Sequence, residues 1–300
     1  MQNNSNISYH NCRLCARECG VDRTAGELGR CRMPAELIVA RAALHEWEEP
    51  IISGTRGSGT IFFSGCSLGC VFCQNREISR AESGIRITED RLCEIMLELA
   101  EKGAHNVNLV TPTHYAPSII FAVAKARLQG LDIPMVYNTS SYDTQSTLQA
   151  LRGTVDIYLP DLKYYKSETA RALSFAEDYP RVAIDAISEM VAQQPEPIIE
   201  DGIMKRGVIV RILLLPGHVA EAKLSLKRLW DRFGSSVYVS LMAQYTPMDG
   251  MKPPLDRRVS RAEYAELVDY AIRLGVTNAF TQELGSAQDS FIPPFDHTGV

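Results

Sequence analysis

No stretch of this 300-residue chain reaches 18 uninterrupted apolar residues. The greasiest run, VIVRILLLPG (208–217), is broken by Arg211 and Pro216, so no transmembrane helix is expected. An excess of basic charge is missing too. The Lys and Arg total is 31 against 36 Asp and Glu, a net charge of −5 with a pI near 5.8. Phosphate backbones need a basic face; with no basic stripe, a nucleic-acid partner is not expected. The opening MQNNSNISYHNC lacks the basic and apolar regions of a secretory signal. Repeats and low-complexity tracts are also lacking. The expectation is a cytoplasmic protein that does not associate with a membrane.

Cysteine is what the chain has in quantity. Structural disulfides are rare in a reducing compartment, so eight cysteines need another explanation. Seven fall into two groups: Cys12, Cys15, Cys19 and Cys31, then Cys66, Cys70 and Cys73. Clustering of this kind points to metal or iron–sulfur ligation. Cys93 stands alone inside a predicted helix and reads as a small buried hydrophobe.

Residues 1–11 read as disordered. Residues 12–34 hold four cysteines and little apolar content, a composition that cannot pack a core and depends on a bound metal. Residues 35–57 read as a link with a short strand at LIVARAAL (37–44). Strands are then predicted at 59–65, 106–111, 134–140, 155–163, 207–217 and 237–247, with VTNAFTQEL (276–284) as a candidate last strand. Helices are predicted at 88–103, 116–129, 143–151, 167–176, 180–194, 221–233 and 260–274. Asp201-Gly202, inside PIIEDGIMKRG (197–207), predicts a type I′ hairpin turn. Strands that alternate with helices imply parallel pairing and right-handed crossovers, in an open sheet or a barrel. The expected division is a Cys-rich segment and linker over 1–50, an α/β body over 51–285 and a tail over 286–300.

In either architecture, chemistry sits on the loops after the strand C-termini. GCSLGCVFCQN (65–75) lies there, directly after the first strand of the body. Its C-x3-C-x2-C spacing can hold three corners of a [4Fe–4S] cubane, leaving one iron open. The alternative is a zinc site completed by Cys93 or a histidine.

This motif, with Phe72 before its last cysteine, resembles the radical S-adenosylmethionine (SAM) superfamily. The resemblance implies a partial (β/α)6 TIM-like barrel and a [4Fe–4S] cluster on Cys66, Cys70 and Cys73, with SAM on the open iron. It also implies reductive cleavage of SAM to a 5′-deoxyadenosyl radical that abstracts a hydrogen atom. Further matches are to the activating enzymes of glycyl-radical enzymes, typified by pyruvate formate-lyase-activating enzyme. They are Asn75 in CQN, Asp161 and Lys163 in DLK, and Arg211 with Pro216-Gly217 in VRILLLPG. Asn138, in YNTSSYD, stands where those proteins carry a strand-end aspartate. VTPTHY (110–115) replaces their glycine-rich SAM loop, with Thr111 and Thr113 placed for the same task. His114 offers a proton carrier there, or packs beside the loop. With the ending FIPPFD (291–296), the chain resembles an activating-like group without an assigned substrate.

The resemblance thus implies Asn75, Thr111, Thr113, Asn138, Asp161, Lys163 and Arg211 as the SAM site. It implies a glycine of a partner glycyl-radical enzyme as target and flavodoxin or ferredoxin as electron donor. Radical modification of another peptide or small molecule is the alternative within the superfamily. A non-catalytic electron-transfer or structural metal protein is the alternative outside it. The C-x2-C-x3-C-x11-C run of Cys12, Cys15, Cys19 and Cys31 supplies four thiols, enough for zinc or an auxiliary Fe–S cluster. Gln244 and Tyr245, after a late strand, are placed to face the site, and Tyr164 and Tyr165 are candidate pocket residues.

Overall fold

The structure is a computed structural model that describes residues 7–282 and 293–300. In chain order its elements are β1 (Leu37–His45), α1 (Pro50–Ser53), β2 (Ser58–Phe63), α2 (Arg76–Ser79), β3 (Ile85–Ile87), α3 (Glu89–Glu101), β4 (Val107–Val110) and α4 (Ala116–Leu128). Then come β5 (Met135–Thr139), α5 (Gln145–Ala150), β6 (Ile157–Pro160), α6 (Ser167–Ser174), α7 (Tyr179–Gln193), β7 (Ile198–Glu200) and β8 (Ile203–Leu213). The series closes with α8 (Val219–Phe233), β9 (Tyr238–Met242), α9 (Arg261–Leu274) and β10 (Ala279–Thr281).

Strands β2, β4, β5, β6, β8, β9 and β10 lie side by side in that order, every neighbouring pair parallel. A sheet that never reverses its order has no switch point of the doubly wound kind. Its crossovers all fall on one face, and the sheet curls with helices outside. This is the expected α/β partial barrel, with β10 as a seventh parallel strand. The antiparallel β1 pairs with β2, and β3 with β1, at the opposite edge.

Period-two alternation sorts the side chains. Tyr137, Tyr158, Val208, Val210, Val239 and Leu241 pack outward with the helices. Val136, Ile157, Leu159 and Ile209 form a separate inner cluster. Ile52 of α1, fully buried, plugs that cluster at the end where the strands begin, and Asn106 Nδ2 donates to its carbonyl at 2.8 Å. The next inward positions along the strands are polar: Asn138 after Val136, Arg211 after Ile209, and Ser240 on β9. The barrel interior is greasy where its strands begin and charged where they end.

Local signals explain the boundaries. Thr88 caps α3 by accepting from Arg91 N. Ser260 and Glu263 form a reciprocal capping box on α9. Asp201 and Gly202 both have positive φ (51° and 78°), as the predicted type I′ turn requires. Residues 7–11, expected to be disordered, are held instead: Tyr9 OH bonds Ser118 Oγ at 2.9 Å and its carbonyl accepts from Arg23 N. The strand expected at 37–44, within the link over 35–57, is β1, which runs one residue further to His45. Glu283, Leu284, Phe291 and Ile292, parts of two motifs read from the sequence, lie outside the described residues, as do residues 1–6. Among the described residues, no helix is long and apolar enough to cross a membrane.

Candidate active site

The cysteine loop leaves β2 at Gly65, and glycine is required there. Its φ is +86°, and a Cβ would sit 2.7 Å from the Cys31 carbonyl oxygen. Cys66, Cys70 and Cys73 are all free and half-buried. Burial pushes the Cys73 thiol up to about 12, and the neighbouring Cys70 and Cys66 add to it. Cys70 is raised by burial first; Lys163 opposes and Cys66 reinforces. Ser174 Oγ donates to Cys70 Sγ at 2.8 Å and bonds Tyr164 OH at 2.5 Å. Three thiols on one short loop supply the donor set, and the positive charge of a cluster would favour the thiolate forms that burial opposes. Cys93 takes no part, buried among the apolar side chains under α3 and α4. Among the described residues, no three His, Cys, Asp or Glu side chains are grouped for a single metal ion; a cubane instead takes one sulfur on each iron.

From Cys70 a chain of charges crosses the strand ends. Lys163 Nζ pairs with Asp161 Oδ2 at 2.6 Å, and Arg211 Nε with Asp161 Oδ1 at 2.9 Å. Arg211 also donates to Asn138 Oδ1 at 2.6 Å and faces Glu48 Oε2 at 3.5 Å. Asn108 Nδ2 donates to Glu48 Oε1 at 3.1 Å. Adjacent strands are spaced so that inward side chains from β4, β5, β6 and β8 meet. Burial opposes each charge, and the partners decide the outcome. Asp161 is disfavoured by burial, yet Arg211 and Lys163 hold its carboxyl below the usual range. Burial works against the Lys163 ammonium, but Asp161 and Cys70 hold it above the usual lysine value. Arg211 is likewise raised against burial by Asp161, Glu49 and Glu48.

Beside this array opens a cavity of about 590 Å3, within the range that holds small ligands. Asn75, Gln74, Asn138, Arg211, Ser240 and Gln244 line its polar side. Gln74 Nε2 donates to the Gln244 carbonyl at 2.8 Å, tying the cysteine loop to the end of β9.

Among the expected site residues, the structure gathers Asn138, Asp161, Lys163 and Arg211 into one array and sets Asn75 in the adjoining cavity. Thr111 and Thr113 stand differently. Thr111 has φ +58°, a left-handed conformation unusual for a β-branched residue. Thr113 Oγ1 donates to Asp143 Oδ1 at 2.7 Å, beneath the site. His114 packs beside the loop: its Nε2 lies 2.7 Å from the Ser64 carbonyl, and burial, with Arg23 nearby, lowers its pKa to about 3. Gln244 faces the cavity; Tyr245 is buried, donates to the Leu255 carbonyl and packs on Phe72. Tyr164 is buried, and neither it nor Tyr165 lines the cavity. Glu48 and Glu49 are the residues sequence reasoning missed. They belong to HEWEEP (45–50), inside the stretch read as a link; three carboxylates around one tryptophan were the available signal.

The N-terminal cysteines form a compact knuckle against the loop. Burial raises Cys15 first, with Cys31, Cys12 and Cys19 adding to it, so this thiol feels the other three sulfurs. Buried Arg23 braces the knuckle, donating to the carbonyls of Met33 and His114 and stacking over the Tyr9 and Tyr115 rings. Arg17 Nε donates to the Ser67 carbonyl at 2.9 Å and Arg30 to that of Leu68 at 3.3 Å.

An open barrel with three free thiols after its first parallel strand, facing a buried charge array, defines the class. The model of the Radical SAM superfamily matches residues 60–227, more than half the chain, and the protein belongs to that superfamily. An uncharacterized protein of Methanocaldococcus jannaschii is 30% identical over 275 residues, 88% of this chain and 75% of that one. Among solved structures, Streptococcus suis SuiB bound to S-adenosylmethionine aligns with TM-score 0.51 at 15% identity, over 74% of this chain and 49% of that one. The FeFe-hydrogenase maturase HydG of Carboxydothermus hydrogenoformans aligns with TM-score 0.52 at 15% identity, over 71% and 50%. This chain therefore spans about half the length of those two, and the likeness is one of fold. A domain of pyruvate-formate lyase-activating enzyme from Bacteroides vulgatus aligns with TM-score 0.44 at 14% identity, over 60% of this chain and all of that one. Membership carries with it a [4Fe–4S] cluster, SAM and radical cleavage of SAM.

Proposed function

We propose that this protein is an activating-enzyme-like radical SAM oxidoreductase that abstracts a hydrogen atom from a glycine Cα of a partner glycyl-radical enzyme. The electron is drawn from flavodoxin or ferredoxin. The observation that carries this reading is the connected array of Lys163, Asp161, Arg211 and Asn138, with Cys70 close enough to feel the Lys163 charge, side chains that the motif resemblance picked out one by one. When bound, the cluster and SAM supply one-electron cleavage of the C5′–S bond.

The chain's own residues do the holding. Cys66, Cys70 and Cys73 ligate the cluster. Lys163 and Arg211 offer cationic donors to the SAM carboxylate, and Asp161, Asn138 and Glu48 offer acceptors to its ammonium. Asn75 contributes from the cavity wall, and the Thr111–Thr113 turn contributes backbone, the Thr113 hydroxyl being committed to Asp143. The interlocked ion pairs keep these groups oriented before the cofactor arrives, which reduces the ordering cost of binding. Cys12, Cys15, Cys19 and Cys31, not gathered closely enough for a single ion as they stand, would have to draw together around zinc or an auxiliary cluster, and metal analysis of purified protein decides between them. The activase role is tested by incubating reconstituted enzyme, SAM and reductant with candidate glycyl-radical enzymes and reading the glycyl radical by electron paramagnetic resonance. SAM cleavage without a radical on any such partner would move the assignment to another peptide or a small molecule.

A further inference from the structure

The cavity is acidic on one side. Glu46, Glu48 and Glu49 line it from the β1–α1 turn, and Arg211 is the one Lys or Arg side chain lining it among the described residues. His45 adds little positive charge, because burial and Arg41 lower its pKa. Arg211 is itself taken up by Asp161, Asn138 and Glu48. Three carboxyl groups against one guanidinium leave the wall acidic, and burial, which raises Glu48 and Glu49, would be offset by a cation entering beside them.

Glu49 is the member the fold satisfies only in part: Arg211 and the Ser240 hydroxyl favour its carboxylate. It is only 7% exposed, and its Oε2 is buried with no hydrogen-bond partner. Its side chain does not cap α1; the Glu49 backbone carbonyl accepts from Ile52 and Ser53 there instead. A buried carboxylate oxygen without a donor is costly, and such atoms mark places where a donor is missing. Burial pushes the carboxyl up to about 7, Arg211 of β8 pulls it down and Glu48 of the same turn pushes it up. Nearby stands Trp47, 60% exposed and also lining the cavity.

We propose that Glu49 receives a cationic group of the substrate, a guanidinium or ammonium on a residue beside the target glycine, in the part of the cavity bounded by Glu46 and Trp47. This rests on the reading of the protein as a radical SAM enzyme acting on a peptide. The ammonium of SAM is a second source of the same chemistry. Glu48, already joined to Arg211 and Asn108, is the carboxylate on the cofactor side.

The test is calorimetric titration of reconstituted holoenzyme, saturated with SAM, with N-acetyl-arginyl-glycinamide and its uncharged citrulline counterpart. Wild type is expected to prefer the arginine peptide by at least about tenfold. In Glu49→Gln the preference collapses while SAM affinity stays within about threefold. Should Glu49→Gln not fold, Glu49→Asp keeps the charge one methylene back and is expected to retain a reduced preference. Equal binding of the two peptides by wild type would overturn the proposal. So would a preference that survives Glu49→Gln, or a loss of SAM affinity in that variant, which would give the carboxylate to the cofactor. Holoenzyme that makes no 5′-deoxyadenosine with dithionite would sink the parent reading while leaving the peptide comparison legible.

Discussion

The two cysteine groups lie against each other and differ in what surrounds them. The loop of Cys66, Cys70 and Cys73 is half-buried, carries three thiols and faces an ammonium, Lys163, that leads to a charge array and a cavity. In the knuckle Cys12, Cys15 and Cys31 are buried, with four thiols in all, and its nearest cation is Arg23, spent on backbone carbonyls and two aromatic rings. Three thiols beside an open cavity would leave a position for exchange and chemistry; four thiols without such a cavity would suit a structural role. The knuckle also touches the loop through Arg17 and Arg30, so metal there would stiffen the loop's own backbone.

The largest contrast should come from removing one thiol on each side. Cys70→Ala is expected to cut 5′-deoxyadenosine formation by more than the roughly 10–100-fold typical of losing an outer-shell partner. Cys12→Ser should instead lower the metal content and the Tm while the loop's cluster absorbance persists. Absorbance lost equally in both variants would erase the distinction.

Next is Arg211→Gln. It leaves Asp161 and Glu48, partly buried at the cavity wall, without their guanidinium, a loss of about 1–3 kcal/mol, smaller than for a fully buried pair. SAM affinity should fall with stability, both readable by thermal shift with and without SAM. A variant as stable as wild type would mean that the array is solvated rather than buried.

His114 separates the knuckle side by pH. Its folded pKa is lowered to about 3, whereas an unfolded histidine titrates near 6.5. The unfolded chain therefore binds the extra proton below about pH 6.5. The neutral ring's stabilisation is complete above that value and is lost as pH falls, by about 2 kcal/mol at pH 5. His114→Gln should flatten that slope in urea titrations; an unchanged slope would place the effect elsewhere.

The smallest effect expected is at α9. Ser260→Ala removes one half of the capping box and should cost about 1 kcal/mol, with iron content and SAM affinity unchanged. A change in either would couple α9 to the site.

Much of this was legible in the residues. The barrel strands could be read because each is a short apolar run between helices with capping and glycine stop signals, as at Thr88 and Gly103. The loop could be read because three cysteines at fixed spacing have few alternative uses. What stayed hidden depends on non-local pairing. β1 was legible as a short strand, but its place was not: only its antiparallel register with β2 brings Glu48 and Glu49 towards Asn108 and Arg211. That the Thr113 hydroxyl is taken by Asp143, 30 residues on, is something nothing local shows. The order at residues 7–11 comes from contacts with Arg23 and Ser118 that their polar composition does not announce.

The central claim is that the loop after β2 cleaves SAM. The most direct measurement is 5′-deoxyadenosine formation by anaerobically reconstituted protein given SAM and dithionite, beside Cys70→Ala. The account predicts product from wild type and none above background from the variant. Equal product from both, or a fully loaded wild type that binds SAM and yields none even with candidate peptides added, would contradict it.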